Sequence, residues 1–89
     1  MPYIKKEDRI KFDENICDLV NKITNDGVDF KVGEVNYIIS SIVWKLFQGN
    51  MSYTNGNNLM GVLECVKQEF YRRKLSQYED KKITENGDL

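Results

Sequence analysis

The chain has 89 residues, enough for one domain, and its 13 basic and 14 acidic residues give a formal net charge of -1, without the basic excess of a duplex-nucleic-acid binder. It has no histidine, and its two cysteines form no CxxC pair. A zinc site therefore lacks its ligand set, and neutral-pH acid–base catalysis lacks its usual group. No stretch approaches the roughly 20 apolar residues of a membrane span, and the opening MPYIKKEDR has no signal-peptide core.

These totals predict a cytoplasmic, reduced, non-enzymatic chain without metal or cofactor. Cys17 and Cys65 lie inside apolar-periodic segments and read as buried free thiols. A chain this short buries only roughly 60–65% of its unfolded surface, so oligomerisation is an expectation from the outset. Lysine outnumbers arginine ten to three, which marks Arg9, Arg72 and Arg73 as positions where a guanidinium fork matters.

The expected fold is all-α: a compact, oligomeric three-helix domain over residues 1–89 with a short arm and a loose tail. Residues 1–11 form the arm, with Pro2 fixing an extended start and Tyr3 and Ile4 as anchors. A first helix spans about 13–24, because Ile16, Leu19, Val20 and Ile23 repeat at helical spacing. Asp13 is its expected N-cap, and Asn25-Asp26-Gly27 its stop, with Gly27 suited to the left-handed cap.

A second helix spans about 33–47 on Val35, Ile38, Ile39, Ile42 and Leu46. Tyr37, Val43, Trp44 and Phe47 widen its apolar surface beyond one stripe, which suits a subunit interface or a sandwich between two helices. Gln48-Gly49-Asn50 ends it. The run from Ser52 to Asn58 reads two ways, as a serine-capped helix start or as an asparagine-rich turn.

The third helix is placed at about 52–76. Leu59, Val62, Leu63, Val66 and Phe70 form its inward stripe, and Arg73 projects near that stripe one turn further on. Residues 77–89 read as a loose tail, with Asn86-Gly87 as a turn.

Little of this can do chemistry alone. Glu64 and Glu69 point in different directions, Ser40 and Ser41 have no base beside them, and no phosphate loop is present. What remains is Tyr71-Arg72-Arg73-Lys74 beside Phe70. Guanidinium groups bind phosphates bidentately and aromatic rings stack on bases. The bland alternative pairs Arg72 and Arg73 with Glu69, Glu79 or Asp80, as a cluster complementing a helix C-terminus.

Four stretches, PYIKKEDR at 2–9, GEVNYII at 33–39, GVLECVKQEFYRR at 61–73 and YEDKKITENGD at 78–88, resemble a family of similarly short phage and prokaryotic proteins that is a domain of unknown function. The resemblance covers nearly the whole chain and implies no reaction. It implies that Asn36, Tyr37, Glu64, Glu69, Tyr71, Arg72 and Arg73 belong to the family pattern, and it favours a helix from Ser52 onward. The run TNGNN at 54–58 departs from that pattern.

Small helical phage proteins without catalytic residues often act by binding, and one class forms oligomers that sequester cyclic nucleotide immune signals; the analogy is one of size and fold class. The expected ligand-binding residues are Arg9, Asn36, Tyr53, Asn57, Asn58, Tyr71, Arg72 and Arg73. Tyr37, Val43, Trp44 and Phe47 are the expected homo-oligomer interface, with Trp44 as a further stacking candidate. The leading expectation is a non-enzymatic oligomer that sequesters a small anionic ligand such as a cyclic oligonucleotide. The alternative is an interaction module that caps a host protein through the apolar face of the second helix.

Overall fold

A computed structural model describes residues 3–89, which are helical with no strand. Pro2, the expected extended start, lies outside them. The chain divides into two compact units, Met1–Gly49 and Asn50–Leu89.

The first unit contains α1, Lys6–Thr24, and α2, Val32–Gly49. α1 begins a full two turns before the expected Asp13 cap. No breaker interrupts KEDRIKF, Glu7 and Asp8 sit in the first turn where the helix dipole favours acids, and Phe12 extends the Ile16–Leu19–Ile23 stripe by one turn. Arg9 Nε donates to the Ile4 carbonyl at 3.1 Å and ties down the residues ahead of the helix.

The end of α1 also differs in detail. Asn25, and not Gly27, takes the left-handed conformation at φ 50° and ψ 47°, with Asp26 at φ 59°. The Asp26 amide donates to the Asn21 carbonyl at 2.8 Å, the outer bond of a Schellman motif. Asn and Asp tolerate this region because their short side chains bond locally, so the glycine was not needed there.

The second unit is one continuous helical path. α3 spans Tyr53–Phe70, a five-residue π turn spans Tyr71–Leu75, and α4 spans Ser76–Asn86. The run TNGNN is helical because its start is well capped. The Ser52 hydroxyl accepts from the Asn55 amide at 3.0 Å, and the Asn55 side chain donates to the Asn50 carbonyl at 2.8 Å.

The expected loose tail is helical to Asn86, supported by Lys82–Glu85 at 3.2 Å and closed by Gly87 at φ 88°. In the π turn the Ser76 amide donates to the Tyr71 carbonyl, five residues back. The Ser76 hydroxyl donates to the Arg72 carbonyl at 2.9 Å.

None of the described residues is buried. The stripe expected to form the core is open: Val62 is 56% exposed, Leu63 36%, Val66 61% and Phe70 59%. Its own unit is a single helix, so nothing within that unit can cover it. Cys17 and Cys65 are likewise free but exposed, not buried. In the first unit Leu19 and Ile23 of α1 face Tyr37 and Ile38 of α2 across an apolar groove of about 420 Å³. No helix among the described residues is long and apolar enough to cross a membrane.

The cap analysis yields a test. Replacing Ser52 by Ala removes the acceptor for the Asn55 amide and is expected to cost about 1 kcal/mol in chemical denaturation, while Ser52→Asp keeps an acceptor and restores most of it. Equal midpoints for all three proteins would contradict the capping role.

Candidate functional site

The candidate site is built on the π turn. Such turns widen the helix, release one carbonyl from the regular ladder and recur at functional positions. Here the widened turn is YRRKL, so it carries three of the expected binding residues, Tyr71, Arg72 and Arg73. It lies in the middle of the helical path, so the arginine cluster does not complement a helix C-terminus.

Glu69, half-buried at 24% side-chain exposure, organises the arginines. Arg72 Nη2 donates to both of its oxygens, at 3.0 and 3.2 Å, and Arg73 Nη1 lies 4.0 Å from Oε2. One carboxylate thus serves two guanidinium groups, and Lys74 is a third cation on the same turn. The arginine side chains remain 70% and 50% exposed. Exposed ion pairs of this kind are worth about 0–1 kcal/mol, whereas bidentate guanidinium–phosphate bonds are among the stronger contacts available. Both guanidinium groups are thus accessible to a phosphate from solvent.

Tyr71 is held from the other side. The Glu79 carboxylate near its hydroxyl, by hydrogen bonding and then by its charge, with a little desolvation and Asp80, raises its pKa above the ordinary value of 10.0. The contact joins residues eight apart across the π turn, a spacing that ordinary helix rules do not flag. Sequence reasoning named Glu79 as an arginine partner and missed it as the tyrosine's. The one available signal was the break in apolar phase between Phe70 and Leu75.

The other expected residues do not join this cluster within one helix. Tyr53, Asn57 and Asn58 lie at the start of α3, and fourteen or more residues of helix put Asn57 and Asn58 about 20 Å from Arg72. Tyr53 is 93% exposed. In the first unit Arg9 is bonded to Ile4, and Asn36 accepts a hydrogen bond from the Ser40 hydroxyl at 3.1 Å. Of the expected interface residues, Tyr37 and Trp44 are 73% and 68% exposed, while Val43 and Phe47 are half-buried. No group of three Cys, Asp or Glu residues among the described ones is arranged to hold a metal ion.

Comparison with known proteins places the chain in one family. Residues 1–89 match the family described as Domain of unknown function (DUF6899), and the chain belongs to it. No curated protein matches it, and no solved structure does.

The influence of Glu79 on Tyr71 has a direct readout. Because the protonated phenol is the bonded form, the contact contributes fully below the ordinary tyrosine value and is lost as pH rises through the raised one. In Glu79→Ala the Tyr71 midpoint, followed by NMR of ring-labelled tyrosine, is expected to fall toward 10.0. A midpoint unchanged by the substitution would contradict the bond.

Proposed function

We propose that this family member is a non-enzymatic homo-oligomer that binds a small anionic ligand at the π turn, a cyclic oligonucleotide being the best-matched class. The observation that carries the reading is the placement of Tyr71, Arg72 and Arg73 on one widened turn, with Glu69 paired to Arg72 at 3.0 Å and to Arg73 at 4.0 Å. Arg72 and Arg73 bind phosphate, and Tyr71 supplies a ring that is 52% exposed for stacking on a base.

Consecutive residues fan around a helix, so one chain cannot aim all three groups at one ligand. A second copy completes the site, which makes association part of the function. Arg9, Asn36, Tyr53, Asn57 and Asn58 are supplementary contacts in this reading and not its centre. Sequestration of a cyclic nucleotide immune signal in a host cytoplasm, by a phage-encoded sponge, is the role such binding serves.

A second reading has its own observation. The ring of Trp44, 68% exposed on α2 with Tyr37 at 73%, is the kind of aromatic anchor that dominates protein interfaces. It supports an interaction module that caps a host protein through α2.

Calorimetry and thermal shift against a panel of cyclic di- and trinucleotides separate the two. Saturation at one hundred times the dissociation constant stabilises the native state by about 2.7 kcal/mol. Arg72→Ala and Arg73→Ala are each expected to weaken binding at least about tenfold, the loss of a charge-assisted bond, without unfolding the protein. No thermal shift with any nucleotide in the assembled protein sinks the reading. Binding that survives both substitutions removes the site assignment.

A further inference from the structure

The π turn does something to the helix besides carrying arginines. Each residue of an α-helix advances by about 100°. Measured from Phe70, the side chains of Leu59, Leu63 and Val66 all fall within about 40°. On an uninterrupted helix Leu75 would lie about 140° away and Tyr78 about 80° away, off the stripe. A π turn inserts one extra residue, which brings Leu75 to about 40° and Tyr78 to within about 20° of Phe70. The stripe position one turn beyond Phe70 accordingly passes to Leu75 and away from Arg73, correcting the projection of Arg73 onto it.

We infer that the π turn sets the phase of one apolar seam, Leu59, Leu63, Val66, Phe70, Leu75 and Tyr78, on which a second copy of this chain docks antiparallel through its own seam. The inference rests on the homo-oligomer reading above and names the surface that reading lacks. It also differs from the α2 face that the sequence favours.

Three features select a second copy as the occupant. The first is area. Val66, Phe70 and Tyr78 are 56–61% exposed and Leu63 and Leu75 36–39%. At roughly 150–250 Å² for an aromatic side chain and less for the four aliphatic ones, the seam offers on the order of 500 Å² per copy, and a pair buries about 1,000 Å², the lower limit of a specific interface.

The second feature is size complementarity. Leu59, Leu63 and Val66 make the first half of the seam aliphatic, while Phe70 and Tyr78 make the second half bulky. Antiparallel pairing sets each aliphatic half against an aromatic one, as facing core positions require. The third is charge. A parallel pair in register brings both Arg72-Arg73-Lys74 runs side by side at the cost of like-charge repulsion. An antiparallel pair centred between Gln68 and Glu69 separates them and opposes the helix dipoles.

Sedimentation equilibrium on the full chain, Phe70→Asp and a deletion of Lys74 tests this. The deletion restores α-helical phase and throws Leu75 and Tyr78 off the seam. The wild-type chain is expected to associate, Phe70→Asp to weaken association at least about a hundredfold, and the deletion at least about tenfold, each through lost apolar burial.

A spin label at Lys81→Cys, in a Cys17→Ser, Cys65→Ser background, reads orientation on the assembled protein. Antiparallel pairing places the two labels about 35–40 Å apart along the seam, and parallel pairing under about 20 Å. A monomeric wild-type chain overturns both the oligomer reading and the seam. An associating wild type matched by both variants overturns the seam alone, leaving α2 as the interface. A short label separation overturns the antiparallel arrangement.

Discussion

Removal of apolar surface from water is the dominant favourable term in folding, worth about 25 cal/mol per Å². Ordering the backbone costs about 1–2 kcal/mol per residue against it. In this protein the favourable term is only partly realised among the described residues, for none is fully buried, and Trp44, Phe70 and Val66 are each more than half exposed. Helical hydrogen bonds do not fill the gap, since helices of this length draw most of their stability from packing an amphipathic face. We propose that association supplies further burial, and the rest of our reading depends on it: a binding site that needs two copies, and a seam that a second copy covers.

The π turn joins those two consequences. One inserted residue brings Leu75 and Tyr78 into line with Phe70, and the same widened turn presents Tyr71, Arg72 and Arg73. Polar groups at the turn are partnered locally: the Ser76 hydroxyl bonds the Arg72 carbonyl and Glu69 gathers the two arginines. A local irregularity at this position therefore links the apolar side of the helix to its charged side. On this account ligand binding and self-association are coupled, because any shift of the turn moves both.

Much of the helical architecture was legible in the sequence, and the failures have physical causes. The stripes of all three helices were visible as apolar periodicity, and Ser52 was recognisable as a cap although Asn55, Asn57 and Asn58 spoke against a helix. Asp13 has the chemistry of a cap, but uninterrupted helix formers run back to Lys6, and α1 starts there. The polarity of the tail suggests a loose end, yet it is helical to Asn86 with short-range pairs such as Lys82–Glu85 along it. Burial was the larger error. Periodicity reveals which face is apolar and says nothing of what covers it, so Leu59 to Phe70 read as core. At the candidate site the ion pairing of Arg72 and Arg73 with Glu69 followed from helical spacing, whereas the π turn and the Tyr71–Glu79 bond did not, because both break that spacing.

The central claim, that folding of this chain is completed by other copies of itself, is tested most directly by thermal unfolding of the wild-type protein across a thousandfold range of concentration. Coupled folding and association make the midpoint depend on concentration by mass action. The account predicts a midpoint that rises steadily with protein concentration, with loss of helix and loss of association in one transition. A midpoint independent of concentration, in a chain that remains monomeric throughout, would contradict it.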